Sequence, residues 1–115
     1  MKYYNILRKT ITTPPTTTVE YMVDFSMPER LTDEFIERVP RQRQLINRYM
    51  KNKKLLSYAL SLESCRMWAI FRVSSELELM QLIAELPLTP LMEVNISTLS
   101  ILNTAKEDFN EICLN

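Results

Sequence analysis

The sequence predicts an α+β domain in which a four-stranded antiparallel sheet carries two helices on one face. The first observation is the order of hydrophobic periodicity along the chain, which is strand, helix, strand, strand, helix, strand. The second is the close spacing of the two middle strands, which is typical of a hairpin. The third is the length of 115 residues, which suits a single domain with its own core.

The first strand is predicted in VEYMVDFS, residues 19–26, where apolar side chains alternate with a mixed set. A helix is predicted to follow from Thr32, which is suited to capping its start, and apolar residues recur at helical spacing as far as Met50. The chain has no glycine. We therefore expect Asn52 to take the left-handed conformation that glycine usually supplies at a helix end.

Strands two and three are predicted in LLSYALSLES and RMWAIFRVS, joined as a hairpin around residues 63–66. The second helix is predicted in SELELMQLIAEL, because Ser75 and Glu78 have capping-box spacing and apolar residues follow on one helical face. After the connector between Pro87 and Pro90, alternation in LMEVNISTLSIL predicts the fourth strand.

This order is the split βαβ pattern of a ferredoxin-like sandwich, and side-chain alternation sorts the strands by face. The face under the helices is predicted to carry Val19, Tyr21, Val23, Phe25, Ala69, Phe71, Val73, Met92, Val94 and Ile96. The opposite face, called the open face below, is predicted to carry Glu20, Met22, Asp24, Trp68, Ile70, Arg72, Glu93 and Asn95.

The open face is too apolar for a freely solvated surface and too charged for a core. A partner's sheet packed over it would bury Trp68 and Ile70 and leave a polar-lined cavity between the subunits. We therefore predict a homodimer.

The ferredoxin-like domain is expected over residues 18–103. Residues 1–17 are interpreted as an extension with a linker, because TTPPTTT offers little to bury and its prolines favour extended backbone. Residues 104–115 are interpreted as a tail. Thr104 and Glu107 have capping-box spacing, so a short helix and a disordered tail are both compatible with this segment.

Three stretches, VDFSMP, WAIFRVSSELEL and above all MQLIAELPLTPLMEVNISTL, together resemble the muconolactone delta-isomerase family. The resemblance covers roughly residues 19–102. It implies pairing of sheets into a dimeric α+β barrel, often higher oligomers, and a cofactor-free proton shift within a small unsaturated lactone. The proline-rich connector would then be structural, because its two fixed φ angles direct the chain into the fourth strand.

An intramolecular proton shift needs a base, an acid and a group that stabilises the enolate formed between the two proton transfers. The candidate catalytic carboxylates are Glu20, Asp24 and Glu93. The candidate ligand-binding residues are Tyr58, Trp68, Arg72 and Asn95. An indole can stack on a planar ligand, and a phenol or guanidinium can stabilise developing negative charge.

Each candidate also has a structural interpretation. The carboxylates could form intersubunit ion pairs with Arg72 or Arg66. Trp68 could anchor an interface, and Tyr58 could bond a backbone carbonyl at the barrel rim. A carboxylate that is unpaired and reachable would favour catalysis, whereas three paired carboxylates would favour a structural role.

Composition argues against several classes of function. Fourteen basic residues balance fourteen acidic ones, so we expect neither nucleic acid nor a membrane as partner. Without histidine, a zinc enzyme or a serine-histidine hydrolase is excluded, and no metal site is expected. Cys65 and Cys113 are expected to be unpaired thiols. No apolar run approaches the length of a membrane span or signal peptide, which predicts a cytoplasmic protein.

Three hypotheses about function follow. The first is a cofactor-free isomerase-like protein acting on a small lactone or unsaturated carboxylate in an intersubunit cavity. The second is a non-catalytic ferredoxin-like oligomer that binds a small molecule or has a structural role. The third is a cofactor-independent oxygenase of the related dimeric barrel type, which the sequence favours least.

Overall fold

The structure is a computed structural model that describes residues 17–105. Its elements are β1 (Val19–Ser26), α1 (Asp33–Lys51), β2 (Leu55–Ser61), β3 (Arg66–Val73), α2 (Glu76–Glu85), a 3₁₀ turn (Thr89–Leu91) and β4 (Glu93–Thr98). The strands form one antiparallel sheet in the order β2-β3-β1-β4. The predicted ferredoxin-like α+β fold is confirmed. The N-terminal extension and the possible C-terminal helix lie outside the described residues.

The core lies between the predicted covered face and the two helices. The side chains of this face that are buried are Tyr21, Val23, Phe25, Ala69, Phe71 and Val73, and those that are half-buried against the core are Val19, Met92, Val94 and Ile96. The helices contribute Leu45, Ile46, Tyr49, Leu79 and Ile83 to the same cluster. Full burial of one such side chain contributes about 1.5–3 kcal/mol to the free energy of folding. Burial of this apolar face therefore determines which face of the sheet packs against the helices.

The start of α1 matches the prediction. Thr32 has extended backbone, and its Oγ1 accepts a hydrogen bond from the Phe35 N–H at 3.1 Å. Asp33 and Glu34 lie in the first turn, where carboxylates interact favourably with the helix dipole. The helix therefore begins where its capping residue and its charge pattern both favour a start.

The expectation for Asn52 is wrong by one residue. Asn52 has φ −86° and its N–H still bonds the Arg48 carbonyl, whereas the left-handed residue is Lys53 with φ 65°. The Lys53 and Lys54 N–H groups then bond the carbonyls of Met50 and Tyr49. This is a Schellman motif, which places the left-handed residue after the C-cap rather than at it.

The start of α2 is also capped as predicted, because Ser75 Oγ accepts from the Glu78 N–H at 3.1 Å. The Glu78 carboxylate reaches one residue further back than a capping box requires and accepts from the Ser74 N–H at 2.8 Å. Glu78 also pairs with Lys54. These contacts lower the pKa of Glu78 from 4.5 to about 2, with the Lys54 contact as the largest cause.

The connector between α2 and β4, residues 87–90, is held against α1. Arg38 Nη1 donates to the Pro87 carbonyl at 2.9 Å, and the Leu88 N–H donates to Gln42 Oε1 at 3.1 Å. Both contacts join segments nearly fifty residues apart, so the connector helps to fix how α1 sits on the sheet.

Candidate functional site

Six of the seven predicted site residues lie together on the open face of the sheet. Strand register arranges the face of β3, β1 and β4 in rows, which are Arg72–Glu20, Ile70–Met22–Ser97, Trp68–Asp24–Asn95 and Arg66–Ser26–Glu93. Directly opposed side chains in neighbouring strands have Cβ atoms about 4.5–5.5 Å apart, so each row is a set of near neighbours.

Tyr58, the seventh predicted site residue, lies on the other face. It pairs with Ala69, whose side chain is buried under the helices, so the Tyr58 side chain belongs to the covered face. At the sheet edge its exposed fraction is 41%. The structure therefore does not bring Tyr58 together with Trp68, Arg72 and Asn95.

The centre of the open face is the row formed by Trp68, Asp24 and Asn95. Asp24 Oδ2 accepts a hydrogen bond from Arg66 Nη1 at 3.0 Å, across a diagonal between the two strands. Asp24 Oδ1 is buried and has no hydrogen-bond partner among the described residues. One carboxylate oxygen is thus held in place by an arginine while the other is left without a donor.

Glu20 has a more complete pairing. Arg72 stands directly opposite it, and Arg72 Nε donates to Glu20 Oε2 at 2.8 Å. About a quarter of the Glu20 side chain and almost half of the Arg72 side chain remain exposed. The structural interpretation of the sequence expected Arg72 as a partner for a carboxylate across a subunit interface, whereas this pair lies within one chain.

Glu93 differs from both other carboxylates, since it is exposed and forms no ion pair within residues 17–105. It is the diagonal neighbour of Asp24, a relation that places Cβ atoms about 7–8 Å apart. Glu93 also lines an open concavity of about 520 Å³ with Ser26, Met27 and Glu29. It is the reachable carboxylate of the site.

The apolar part of the open face consists of Met22, Trp68 and Ile70, which are only half-buried in a single chain.

Ile70 and Arg72 line a second concavity of about 340 Å³ with Leu102 and Thr104. The chain beyond β4 therefore returns across the sheet to the side of β2. Sequence reasoning missed Leu102, for which the only signal was the apolar run that continues past the end of the strand.

Within residues 17–105, no three side chains of the types His, Cys, Asp and Glu are grouped closely enough to hold a metal ion. Cys65 is a free, half-buried thiol, and Cys113 lies outside the described residues. No described helix has both the length and the apolar character needed to cross a membrane.

The open face combines the groups that a proton shift needs. Asp24 Oδ1 offers a lone pair for a proton, Glu93 offers a second carboxyl group, and Asn95 offers an amide donor for developing negative charge. Trp68 supplies a flat apolar surface next to Asp24.

Comparison with known protein families identifies a relationship. A family model described as muconolactone delta-isomerase matches residues 17–103. No curated protein sequence matches the chain significantly.

Proposed function

The chain belongs to the muconolactone delta-isomerase family, and from this premise we propose that it is a cofactor-free isomerase of a small lactone or unsaturated carboxylate. The proposed reaction moves one proton within the substrate. A carboxylate removes a proton from a carbon atom next to a carbonyl group, the electron pair is delocalised as an enolate, and a proton is returned at another carbon. No oxidant or reductant is needed, because the atoms of substrate and product are the same.

The unpartnered Oδ1 of Asp24 is the observation that carries this proposal. A buried carboxylate oxygen without a donor is costly to a fold unless another group uses it. Arg66 holds the other oxygen at 3.0 Å and so fixes the orientation of the carboxylate. Asp24 Oδ1 is buried in the free chain, so in the proposed mechanism substrate binding must first expose this oxygen, which then accepts the carbon-bound proton.

The neighbours of Asp24 take the remaining roles. Asn95 would donate a hydrogen bond to the enolate oxygen, and Trp68 would stack on the planar part of the substrate. Glu93 would return the proton, since it is exposed and is the diagonal neighbour of Asp24 on β4. Arg72 is engaged by Glu20, so we assign that pair to binding the carboxylate end of the substrate rather than to proton transfer.

The proposal includes a homodimer in which two open faces pack together. Met22, Trp68 and Ile70 are half-buried in one chain, and a second sheet would remove them from water while enclosing the charged rows between the subunits. Excluding water would strengthen the electrostatic stabilisation of an enolate. The cytoplasmic location expected from the sequence is retained as part of this proposal.

The test is a proton-exchange assay on the full 115-residue chain. The protein is incubated with muconolactone in D₂O, and NMR follows both the shift of the double bond and deuterium incorporation. Asp24→Asn keeps the size of the side chain but removes the base. We expect kcat to fall by about 100-fold or more, which is within the range contributed by a general base.

The control is Asp33→Asn, which changes an exposed carboxylate in the first turn of α1, away from the open face. It should leave kcat within about twofold of the wild type. The catalytic role of Asp24 is refuted if the wild type isomerises muconolactone and Asp24→Asn does so equally well. No turnover and no deuterium incorporation by the wild type, with this substrate and with related unsaturated carboxylates, would refute the isomerase itself.

A second candidate is a non-catalytic oligomer that binds a small molecule or has a structural role. The observation that favours it is that two of the three candidate carboxylates, Glu20 and Asp24, are paired with arginines. Under this hypothesis, Asp24→Asn and Glu20→Gln would change oligomer stability, and no variant of the open face would change a reaction rate. The oxygenase hypothesis receives no specific support.

A further inference from the structure

A separate cavity of about 200 Å³ lies on the covered side of the sheet, beneath the first half of α1. Its walls are mostly apolar and come from α1, β2, β3, the connector and neighbouring loop residues; they include Phe35, Val39, Leu60, Met67, Leu88 and Met92. The cavity does not share the open-face residues Asp24, Trp68 or Asn95. The sheet itself therefore separates it from the site of the proposed isomerisation.

One polar side chain inside this cavity is incompletely bonded. Gln42 lines the cavity and is only 4% exposed. Its Oε1 accepts from the Leu88 N–H at 3.1 Å, and its Nε2 has no hydrogen-bond partner in the part of the chain that the structure describes. Rotating the amide would not help, because Leu88 would then face a donor. The free group is an N–H donor.

A buried donor without an acceptor is destabilising, and native proteins rarely tolerate one without a reason. On α1, Phe35, Val39 and Gln42 have the spacing of one helix face, where an apolar residue in place of Gln42 would continue the apolar lining. The Leu88 N–H explains why a side chain with an acceptor oxygen is needed at position 42. It does not explain why the side chain also carries the donor Nε2.

We propose that this cavity binds a small, mostly apolar molecule through a carbonyl or hydroxyl oxygen that accepts a hydrogen bond from Gln42 Nε2. The volume limits the size of the ligand, because a cavity of about 150 Å³ is sufficient for benzene. A single six-membered ring with a short oxygen-bearing substituent fits that limit. Most of the lining is apolar, and the charged side chain that lines the cavity, Arg43, is exposed, so an uncharged ligand matches the buried part of the cavity.

The entrance lies at the β2 edge of the sheet. Tyr58 and Leu60 line the cavity and have exposed fractions of 41% and 48%, so the cavity communicates with solvent between them and α1. This location gives Tyr58 a role at the mouth of the covered-side cavity in place of the open-face role that the sequence predicted.

The test uses two probes of similar size on the ¹⁵N-labelled full chain. Acetophenone carries a carbonyl acceptor, and cumene has a methyl group in place of that oxygen. We expect acetophenone to shift the Gln42 side-chain NH₂ signals saturably. After each affinity is corrected for the partition of the probe between water and an alkane, cumene should bind at least about fivefold more weakly, which is the factor expected for one hydrogen bond.

The matched variant is Gln42→Glu, measured at a pH where the new carboxyl group is ionised, so that it keeps an oxygen acceptor for the Leu88 N–H and has no donor. It should weaken acetophenone binding by about fivefold or more and leave cumene binding closer to that of the wild type. The control is Leu77→Ala on the outer side of α2, where the side chain is 68% exposed. Both probes should bind this control as they bind the wild type.

Three results would overturn the proposal. The first is the absence of saturable shifts with either probe. The second is equal affinity for acetophenone and cumene after the same partition correction, which would show that Gln42 contributes no hydrogen bond. The third is a Gln42 signal that already shifts with protein concentration alone, which would show that a second copy of the chain covers the cavity. The comparison of wild type with both probes decides the question even if Gln42→Glu fails to fold, and it requires no isomerase activity.

Discussion

Arg72 and Glu20 stand directly opposite each other on β3 and β1, and the Arg72 Nε–H donates to Glu20 Oε2 at 2.8 Å. Arg66 reaches Asp24 only diagonally and leaves one of its oxygens without a donor. Two carboxylates four residues apart on the same strand face therefore differ in how completely their oxygens are hydrogen-bonded. Under the proposed function, Glu20 serves charge pairing and Asp24 serves proton transfer.

The Glu20–Arg72 pair should contribute little to the stability of a single chain, because both side chains are partly exposed. A double-mutant cycle with Glu20→Gln and Arg72→Gln, measured by urea unfolding at low protein concentration, should give a coupling of about 0.2–1 kcal/mol. A coupling above about 2 kcal/mol would contradict this and indicate a pair removed from water.

The proposed dimer should dissociate when a charge is placed in the apolar part of the open face. Ile70→Glu would bury a carboxylate between the two sheets, so sedimentation should show a monomer at concentrations where the wild type is dimeric. Leu77→Glu, a matched change on the exposed side of α2, should remain dimeric. Dimers of both variants would place the interface elsewhere, and a monomeric wild type would refute the intersubunit cavity.

Lys53→Gly should stabilise the protein, because Lys53 has φ 65°, where a Cβ atom is unfavourable. We expect a gain of about 0.5–1 kcal/mol in the free energy of unfolding, measured by urea denaturation. Asn52→Gly is the control, since Asn52 has φ −86° and gains no relief from glycine. Equal effects of the two substitutions would contradict the assignment of the left-handed position.

Glu78 should make stability depend on acid pH, because Lys54 and the Ser74 N–H lower its pKa from 4.5 to about 2. A depressed folded-state pKa stabilises the protein above the unfolded pKa, and this contribution is lost as pH falls from 4.5 through about 2. At pH 7, Glu78→Gln should cost about 1 kcal/mol after allowance for solvent screening.

Urea unfolding at pH 7 and near pH 2 measures this effect. The difference between wild type and Glu78→Gln should shrink towards zero at the lower pH. Glu76→Gln, in the same first turn of α2, is the control and should show a smaller effect at pH 7. A cost for Glu78→Gln that does not change with pH would contradict the proposed cause.

Tyr49→Phe should destabilise the packing of the two helices. The Tyr49 hydroxyl donates to the Leu82 carbonyl at 2.8 Å and also lies 3.1 Å from Glu85 Oε1, and burial is the largest cause that raises its pKa above 10.0. Loss of the hydroxyl should cost about 1 kcal/mol in the free energy of unfolding, measured with urea. Tyr58→Phe at the exposed sheet edge should cost less, and the reverse order would contradict this assignment.

Local sequence signals predicted much of the fold. The alternation of apolar residues identified the strands and the covered face, from Tyr21 and Val23 on β1 to Phe71 on β3. Thr32 and Ser75 were recognised as capping residues, and both accept the expected backbone hydrogen bonds. These features depend on residues a few positions apart or on a regular period, so they can be recognised in the amino-acid sequence.

The sequence by itself therefore determined the order of elements, the face of β1, β3 and β4 that packs on the helices, and the set of residues on the open face. Only the tertiary structure decided which of those residues are partners. Glu20 and Arg72 are 52 positions apart, and Asp24 and Arg66 are 42 apart, so their pairing depends on strand register across the whole sheet. The same register placed Tyr58 on the covered face, and the docking of Leu88 on α1 buried Gln42. Periodicity specifies which side of an element faces the core, whereas the identity of the opposite residue is set by how distant elements pack.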